Sequence, residues 1–330
     1  MGDYRYTCEG SHMKAPIGAR VSIRFHDPEG GFRDLVGYLE SENSLRNRHG
    51  ELIEFDVEKI AIYKVIEEKI HSAGHGAPLS IRIQELERIL TTTWPPIRQE
   101  FFGKWLIRTS GKFTMRANSV LPSGKAPYGE PSQDIDSSIA HVITHYEKEG
   151  LAPTFAIPLP TYADLDSKLF EQGWIEKVRA HVMVADIAEH VFGQSKFKTL
   201  ISDNFDESWL ALQEDHGVAE LMRGYPALYA SVFDGQKLIG VGRTAHAEGW
   251  SALSRVFVDP QYRGQGVSKL IVNALLQSSL EAGIKKSVLQ VDSKNSTAIN
   301  LYTSLGFDFH HEYVYRSYQK TLQILSEGCC

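Results

Sequence analysis

The segment 256–268 constrains the fold of this chain more than any other. Its β-branched start predicts a strand, its glycine-rich centre predicts a turn, and the residues from 266 to 282 have the apolar spacing of a helix. Gly264 and Gly266 can adopt backbone angles that are costly for a residue with a Cβ, so consecutive N–H groups can point at one anion where the helix begins. The pattern predicts a phosphate-binding turn between a strand and a packed helix.

The glycines of this turn follow the spacing Gln261-x-x-Gly264-x-Gly266. That spacing lacks the Gly-Lys-Ser/Thr ending of a Walker P-loop and the third glycine of a Rossmann fingerprint, which argues against both nucleotide-binding motifs. Further along, residues 287–291 predict a buried strand, and residues 295–307 predict a short helix closed by Gly306. A glycine-rich turn alone is weak evidence, but here a second motif follows it at a defined distance.

The two motifs together resemble the GCN5-related N-acetyltransferase (GNAT) superfamily over about residues 205–318. They match its Q/R-x-x-G-x-G/A loop and its N-x-x-A-x-x-L-Y-x-x-x-G-F helix. The resemblance implies an α/β (α+β) GNAT fold, acetyl-CoA as cosubstrate, and an amine that attacks the thioester directly. It also implies that the loop amides hold the pyrophosphate and that the preceding strand borders the pantetheine arm. The implied cofactor-binding residues are Val256, Val258, Arg263, Gly264, Gln265, Gly266, Val267, Ser268 and Asn295.

Tyr302 occupies the position of the superfamily's catalytic acid. A phenol with an ordinary pKa of about 10 is a competent proton donor to a thiolate with a pKa of about 8.5, if the two are within hydrogen-bond reach. The alternative is a buried tyrosine that supports its helix. Asn295 is either the N-cap of the same helix or a contact of the cofactor.

The general base is less defined, because solvent can take the proton of an ammonium substrate. Members of the superfamily often carry Glu or His near the start of the central strand, and this chain has His246 and Glu248 there. Asp292, at the end of the next strand, is a further candidate. Each of the three is otherwise an ordinary polar residue of a loop or strand end. Arg255 is either an anion ligand or part of a surface ion pair.

Glycine and proline divide the preceding sequence into blocks. Residues 1–12 are predicted to be a tag remnant, with Met13 as the native start. Residues 13–66 contain short β-type runs between turn residues, which predicts an SH3-like β-barrel, and residues 67–78 predict a linker. Because residues 13–70 hold 9 basic and 11 acidic side chains, a packing or oligomerisation module is favoured over nucleic-acid recognition.

Residues 79–190 predict a degenerate first copy of the GNAT-like fold, ahead of the catalytic copy at 200–320. Placing Gly173 on Gly306 aligns Leu169 with Tyr302, so the acid is missing from the first copy. No glycine loop precedes its second helix either. A simple α+β domain without repeat ancestry is the alternative. The pattern predicts helices at 80–90 and 133–149 and strands at 105–107, 155–159 and 182–184.

The segments 103–108 and 113–119 resemble a feature of actinobacterial acetyltransferases with this layout, some of which are assigned to glutamate acetylation. A guanidinium group can hold a carboxylate through two parallel hydrogen bonds. Arg108, Arg116 and Asn118 are therefore predicted to bind the acceptor, with Trp105 in the same cleft. Surface ion pairs are the alternative role for the two arginines.

The 330-residue chain is 42% hydrophobic, which is enough for two or three cores. No apolar run approaches the roughly 20 residues of a membrane helix, and no signal-peptide core is visible, so we expect a cytoplasmic protein without a membrane partner. Cysteine occurs only at positions 8, 329 and 330, which leaves no central acyl carrier and favours a ternary complex. The pair His310 and His311 is predicted to lie on the surface or in a strand rather than to bind a metal.

The sequence therefore predicts an acetyl-CoA-dependent, metal-free N-acetyltransferase. Its acceptor is predicted to be a primary amine of a small molecule or an amino acid such as glutamate. The alternatives are a protein lysine acetyltransferase and a non-catalytic acyl-CoA-binding scaffold, and Tyr302 favours the enzyme. Nucleic acid is not expected as a partner, and a homodimer stays open.

Overall fold

The computed structural model describes residues 15, 17, 19–26, 31–47, 51–65, 77–111, 114–187, 195–213 and 217–319. The predicted tag remnant, Met13 and most of the predicted linker lie outside these residues. The chain divides into two compact units, residues 1–71 and residues 72–330.

The first unit is an antiparallel five-stranded sheet in the order β4-β3-β2-β1-β5. A single turn of 3-10 helix, which Asp56 caps, precedes the last strand. Val21, Ile23 and Leu45 are fully buried and form the centre of its core. The strands are β1 (Arg20–His26), β2 (Phe32–Ser41), β3 (Ser44–Asn47), β4 (Leu52–Glu54) and β5 (Ile60–Val65).

Four of these five strands coincide with the β-type runs of the sequence. The sequence did not predict β3, because its four residues include only one large apolar side chain, Leu45. The small all-β unit is thus present, while its closure into an SH3-like barrel stays a prediction.

The second unit alternates helices and strands. Its helices are α1 (Leu79–Thr93), α2 (Ile135–Lys148), α3 (Ala163–Glu171), α4 (Glu207–Ala211), α5 (Ala219–Arg223), α6 (Val267–Glu281) and α7 (Ser296–Ser304). Its strands are β6 (Arg98–Phe102), β7 (Trp105–Thr109), β8 (Val120–Leu121), β9 (Thr154–Leu159), β10 (Ile175–Asp186), β11 (Lys198–Ser202), β12 (Leu228–Asp234), β13 (Lys237–Ala247), β14 (Trp250–Val258), β15 (Lys286–Asp292) and β16 (Asp308–Ser317).

The main discrepancy with the sequence prediction is the length of β10. The apolar run 182–184 predicted three residues, and the strand has twelve. Its first half contains Glu176, Lys177 and Arg179, and this part of the strand is mostly exposed, so the hydrophobic pattern does not reveal it. Backbone pairing with β16 extends the strand to Ile175 nevertheless.

All eleven strands of the second unit form one sheet, in the order β11-β12-β13-β14-β15-β10-β16-β9-β8-β7-β6. The two predicted halves exchange strands within it. β10, from the first half, lies between β15 and β16 of the second half, and β16 in turn pairs with β9 of the first half. The halves at 79–190 and 200–320 thus share one sheet, and the boundary between them stays a prediction.

The central strand pair relates the two halves. Gly173 follows α3 and Gly306 follows α7, and both glycines have positive φ angles. Ala180 and Tyr313, each seven residues beyond its glycine, are direct partners in the β10–β16 pair. Equivalent positions therefore meet at the centre of the sheet, as an approximate two-fold axis between the halves requires.

Helices cover both faces of the sheet. Along β14 and β15, Leu253, Leu289 and Val291 pack in one core with α6 and Tyr302 of α7. The alternate residues Ala252 and Val288 pack with α1 in another core. Since successive side chains of a strand point to opposite faces, α1 lies on the face opposite α6 and α7.

Candidate active site

The candidate site begins where the parallel strands β14 and β15 separate. Their pairing runs from Trp250 with Lys286 to Leu253 with Leu289 and ends there, although both strands continue. On its other side, β14 shifts register against β13 at this level, and Arg255 has a φ angle of +58°. Such an extra residue in one strand bends it away from its neighbour. The bend opens the sheet between β14 and β15.

A cavity of about 280 Å³ lies at this opening. Both halves of the second unit contribute to its wall, because β10 and the loop before β8 reach it from the first half. Its lining residues are Trp94, Thr114, Met115, Arg116, Ala180, Ser254, Arg255, Gln290, Val291, Asp292, Tyr313 and Tyr315. A narrower recess adjoins it and shares Arg116, Gln290, Tyr313 and Tyr315 with it. Glu87, Leu90, Thr91, Arg108 and Ala156 complete the wall of the recess.

Arg108 is a buried cation in the wall of the recess. Its side chain donates to the Ser119 carbonyl (3.0 Å) and to Oγ of Ser119 (2.8 Å), and it approaches Oγ1 of Thr91 at 3.5 Å. Among the described residues, no carboxylate hydrogen-bonds it. Burial lowers the pKa of this guanidinium, because the charged form loses its hydration. A surface ion pair, the alternative for Arg108, is therefore wrong.

Two further arginines stack on Trp94, which lines the cavity. The Arg116 guanidinium carbon lies 5.9 Å from the centre of the Trp94 ring, and that of Arg243 lies 5.2 Å from it. Arg243 is buried, donates to the Thr93 carbonyl (3.0 Å), and burial lowers its pKa. Cations over an indole face are stabilised by the ring's quadrupole. Arg108, Arg116, Arg243 and Arg255 thus make the surroundings of the cavity strongly cationic.

Gln290 adds a neutral polar group to the cavity wall. Its Oε1 is buried and has no hydrogen-bond partner among the described residues. An unsatisfied buried acceptor costs free energy, so an N–H group of a ligand in the cavity would be stabilised there.

The glycine-rich turn has the geometry that a pyrophosphate requires. Gly264 and Gly266 have φ angles of +77° and +81°, and a Cβ on either residue would meet nothing within 4 Å. Helix α6 begins after Gly266 with no side-chain cap and no acidic residue in its first turn. Its first N–H groups are therefore left for an anion, and the residues present fit the phosphates of acetyl-CoA.

Tyr302 lies on the face of the sheet opposite the recess. It packs in one core with Val291, which also lines the cavity, and its ring contacts that of Phe307 at 5.8 Å. Burial raises the pKa of Tyr302 to about 12, so the phenol is protonated at neutral pH. Asn295 caps α7, since its Oδ1 accepts from the Ala298 N–H (3.0 Å).

The structure does not bring His246 and Glu248 to the cavity. His246 pairs with Ser251, three residues before Ser254, which is about 10 Å along the strand. Its Nε2 hydrogen-bonds Oγ of Ser279 in α6 (2.9 Å), and burial lowers its pKa. Glu248 lies in the following hairpin turn and accepts from Nε of Arg88 (2.8 Å). Asp292, the third candidate base, does line the cavity.

Asn118 and Trp105 also lie outside the cavity lining. Asn118 accepts from the Ser110 N–H (2.6 Å) and donates to the Thr114 carbonyl (2.8 Å), so it shapes the loop that carries Arg116. Trp105 is fully buried and donates to the Tyr128 carbonyl (2.9 Å). Sequence reasoning missed Glu87, Trp94, Arg243, Gln290, Tyr313 and Tyr315, which come from four different elements and share no local motif.

His310 and His311 are a strand pair in β16, as predicted, but both are buried rather than on the surface. Within the described ranges, no group of three or more His, Cys, Asp or Glu side chains could hold a metal ion. Over the same residues, no helix combines the length and hydrophobicity needed to cross a membrane.

Comparisons with known proteins identify relatives of the second unit. The profile of the family described as "Probable histone acetyltransferase Rv0428c C-terminal" matches residues 80–316. The uncharacterized N-acetyltransferase YobR of Bacillus subtilis is 24% identical over 249 residues, which cover 71% of this chain and 98% of YobR. An L-methionine sulfoximine/L-methionine sulfone acetyltransferase of Salmonella typhimurium is 27% identical over 92 residues, 27% of this chain and 54% of that enzyme. Among solved structures, a GCN5-related N-acetyltransferase from Kribbella flavida superposes with a TM-score of 0.58 at 13% identity, covering 72% of this chain and 95% of the other.

Proposed function

We propose an acceptor for this chain from the premise that it belongs to the Rv0428c C-terminal acetyltransferase family and is thus an N-acetyltransferase of the GNAT superfamily. The acceptor we propose is the primary amine of a small molecule that carries a carboxylate, an amino acid such as glutamate. The observation that carries this proposal is the cationic wall of the cavity, above all the buried Arg108 without a carboxylate partner among the described residues.

All hydrogen-bond partners of the buried Arg108 are neutral, and burial removes its hydration, which the charge of Glu87 in the same recess offsets only in part. A substrate carboxylate in the cavity could accept two parallel hydrogen bonds from Arg116, which lines it, and its charge would lie near Arg108 in the adjoining recess. The free Oε1 of Gln290 would accept a hydrogen bond from the substrate amine. One wall thus offers partners for both ends of an amino acid.

The reaction uses groups from both faces of the sheet. The amides after Gly264 hold the phosphates of acetyl-CoA, which supplies the activated acetyl group when bound. The arginines and Gln290 orient the acceptor on the α1 face, while Tyr302 lies on the α7 face, in one core with Val291 of the cavity wall. The amine nitrogen then attacks the thioester carbonyl directly, without an acyl-enzyme.

Tyr302 acts on the leaving sulfur. Full transfer of a proton from a phenol with a pKa of about 12 to a thiolate with an ordinary pKa of about 8.5 is uphill. Burial raises the pKa of a thiol as well, which narrows the gap. Tyr302 therefore donates a hydrogen bond to the developing negative charge and gives up its proton as the sulfur leaves.

A second candidate acceptor is a protein lysine side chain. The description of the matching family as a probable histone acetyltransferase favours it. A lysine side chain within a peptide carries no carboxylate of its own, so this acceptor would leave Arg108 without its proposed partner. The relative from Salmonella typhimurium, named for amino-acid derivatives, favours the small-molecule acceptor.

An assay of free CoA release distinguishes the amino-acid acceptor from the protein lysine acceptor. We expect the protein to acetylate glutamate with a kcat/KM at least about 10-fold above that for glutamate diamide, in which both carboxyl groups are amides, because an amide cannot form the charged pair with a guanidinium. Aspartate, glutamine, spermidine and a lysine-containing histone peptide complete the acceptor panel. Turnover of the histone peptide alone would contradict the proposal.

A further inference from the structure

A chain of hydrogen bonds leads from the recess through two buried histidines. Nε2 of His311 lies 3.2 Å from Oε1 of Glu87, and Nδ1 of His311 lies 2.8 Å from Nδ1 of His310. Nε2 of His310 lies 3.0 Å from the Arg82 guanidinium. Glu87, His310 and His311 are 8%, 9% and 2% exposed, so solvent does not compete for these contacts. Two elements are joined: Glu87 and Arg82 belong to α1, and the histidines belong to β16.

The donors along this chain can point in only one direction. Arginine has donors and no acceptor, so Nε2 of His310 must accept from Arg82. The proton of neutral His310 is then on Nδ1, which donates to Nδ1 of His311. His311 in turn carries its proton on Nε2 and donates it to Glu87. The chain of donors therefore ends at Oε1 of Glu87, which accepts from His311 and belongs to a residue that lines the recess.

The recess connects Glu87 with the cavity. Tyr313 and Tyr315 line both spaces, and the Tyr315 hydroxyl donates to the Tyr313 hydroxyl (3.3 Å). Burial raises the pKa of both phenols, so each keeps its proton and can both accept and donate a hydrogen bond. The two hydrogen-bonded hydroxyls line the same recess as Glu87, whose charge acts on both phenols, so they are the groups through which a proton from the cavity would pass.

We propose that Glu87, which His311 holds in place by a hydrogen bond, is the proton acceptor of the acetyl transfer and is reached through the Tyr313 and Tyr315 hydroxyls. The proposal rests on the proposed function, because it requires an ammonium substrate in the cavity. The predicted bases His246 and Glu248 lie away from the cavity, whereas Glu87 lies in the wall of the adjoining recess.

The substrate nitrogen loses two protons in the proposed reaction. The substrate ammonium loses one proton to Glu87, and the freed lone pair forms the N–C bond as the C–S bond breaks. As the amide forms, the nitrogen loses its second proton. The leaving sulfur takes one proton from Tyr302. The second proton from the nitrogen then reprotonates Tyr302. Glu87 returns the first proton to solvent. The products are the acetylated amine, CoA as a thiol and one released proton.

The decisive variant is Glu87→Gln, which keeps an oxygen for His311 and nearly the same volume. We expect its kcat/KM near neutral pH to fall by about 10²-fold or more, the usual cost of losing a general base. The loss should shrink as the pH rises above the pKa of the substrate amine, because a neutral amine needs no base. The groups that face Glu87 and can also influence the profile are His311, Arg108, Arg116, Tyr313 and Tyr315.

Matched measurements separate this role from a structural one. Acetyl-CoA affinity, by calorimetry, should be unchanged in Glu87→Gln, and Glu171→Gln, an exposed glutamate of α3, should leave kcat/KM and its pH profile as in the wild type. Glu87→Asp keeps the carboxylate and replaces Glu87→Gln as the test if the glutamine variant does not fold. Its kcat/KM should fall less, and the decrease should depend on pH in the same way. A loss of equal size at every pH, or no loss, overturns the proposal.

The acceptor in these assays is whichever amine the wild type acetylates fastest in the panel. If that amine is the histone peptide, the amino-acid proposal fails, while the pH profile of Glu87→Gln still decides the role of Glu87. If glutamate is acetylated equally well by both proteins across the pH range, the Glu87 proposal fails and the amino-acid proposal stands.

Discussion

The two halves of the second unit differ at the N-terminus of one helix each: a side chain caps α2 in the first half, and no side chain caps α6 in the second. In the second half, α6 begins after Gly266 with no side-chain cap and no acidic residue in its first turn. In the first half, α2 begins after Asp134, whose carboxylate accepts from the N–H groups of Asp136 and Ser137. A helix N-terminus attracts one anion, and in the first half the chain's own carboxylate is already there. In the first half, the chain's own carboxylate thus binds the first N–H groups of the helix. In the second half, no side chain binds them, so they are left for a ligand.

The two halves also differ beside their parallel strand pairs, β14–β15 in the second half and β8–β9 in the first. β14 and β15 separate at a cavity, whereas the core behind β8 and β9 is filled with aromatic side chains. Trp105, Phe155 and Trp174 stack edge to face there at 5.1 and 5.3 Å. Leu169 stands where the second half has Tyr302, which removes the hydrogen-bond donor for a leaving sulfur. The first half has thus become a scaffold that contributes a wall, including Arg108 and Arg116, to the site of the other.

The largest effect should come from closing the glycine turn. Gly264→Val with Gly266→Val forces a β-branched residue into positive φ at both positions, and each side chain would occupy open space beside the N–H groups that we propose bind the phosphates. We expect acetyl-CoA affinity, measured by calorimetry, to fall by about 10²-fold or more. Gly173→Val is the matched control in the first half, because Gly173 also has positive φ (+82°) and open space around it. It should reduce stability and spare acetyl-CoA affinity.

Tyr302→Phe tests whether the phenol hydroxyl, which the first half lacks at Leu169, is needed for turnover. The change removes one oxygen and keeps the ring packed against Phe307. Turnover under conditions where chemistry limits the rate should fall by about 10²-fold, with acetyl-CoA affinity retained. The converse change, Leu169→Tyr, should leave turnover as it was. Unchanged turnover in Tyr302→Phe would make Tyr302 a structural residue.

Arg108→Met removes the buried charge and keeps most of the side-chain volume. Since Arg108 has no carboxylate partner among the described residues, stability should hold or rise. The KM of glutamate should rise by about 10-fold, the equivalent of one charge-assisted hydrogen bond, while acetyl-CoA affinity stays constant. Arg116→Met should act in the same direction. Arg98→Met, which breaks a surface pair with Glu149, is the control. An unchanged KM in both variants would contradict the carboxylate site.

The smallest effect concerns the cap of the first half. The hydrogen bonds from Ser137, through its side chain and its N–H, together with that from the Asp136 N–H, lower the pKa of Asp134. A lowered pKa in the folded state means that the cap stabilises the fold above the unfolded pKa and is lost as the pH falls through the folded one. Asp134→Ala should therefore lower the melting temperature slightly at neutral pH and make no difference in strong acid.

The stoichiometry of acetyl-CoA should remain one per chain in Asp134→Ala, because large apolar and aromatic side chains fill the core behind β8 and β9. A second bound acetyl-CoA, detected by titration calorimetry, would show that the carboxylate cap alone kept the first half empty.

The sequence by itself determined the parts of this protein whose physics is local. The glycine turn, α6 and the N-cap of α7 follow from positive-φ glycines, helical spacing and an Asn side chain within three residues of the N–H group that it binds. Helical spacing also predicted α1 and α2 of the first half, whereas the short α3 was not predicted. The role of Gly264 to Ser268 toward acetyl-CoA stays a prediction, although the turn has the required geometry.

Only the tertiary structure decided which polar groups meet. The exchange of β10 and β16 between the halves brings Tyr313 beside Ala180 and Arg116 beside Gln290, although these residues are far apart in sequence. It also displaced His246 and Glu248, because a position near the start of a strand says nothing about where the strand bends away from its neighbour. Glu87 had no signal in the sequence, since its helical position is typical of many surface glutamates. Strand order and burial are properties of the whole sheet, so no local pattern could have shown that this carboxylate lies buried against His311.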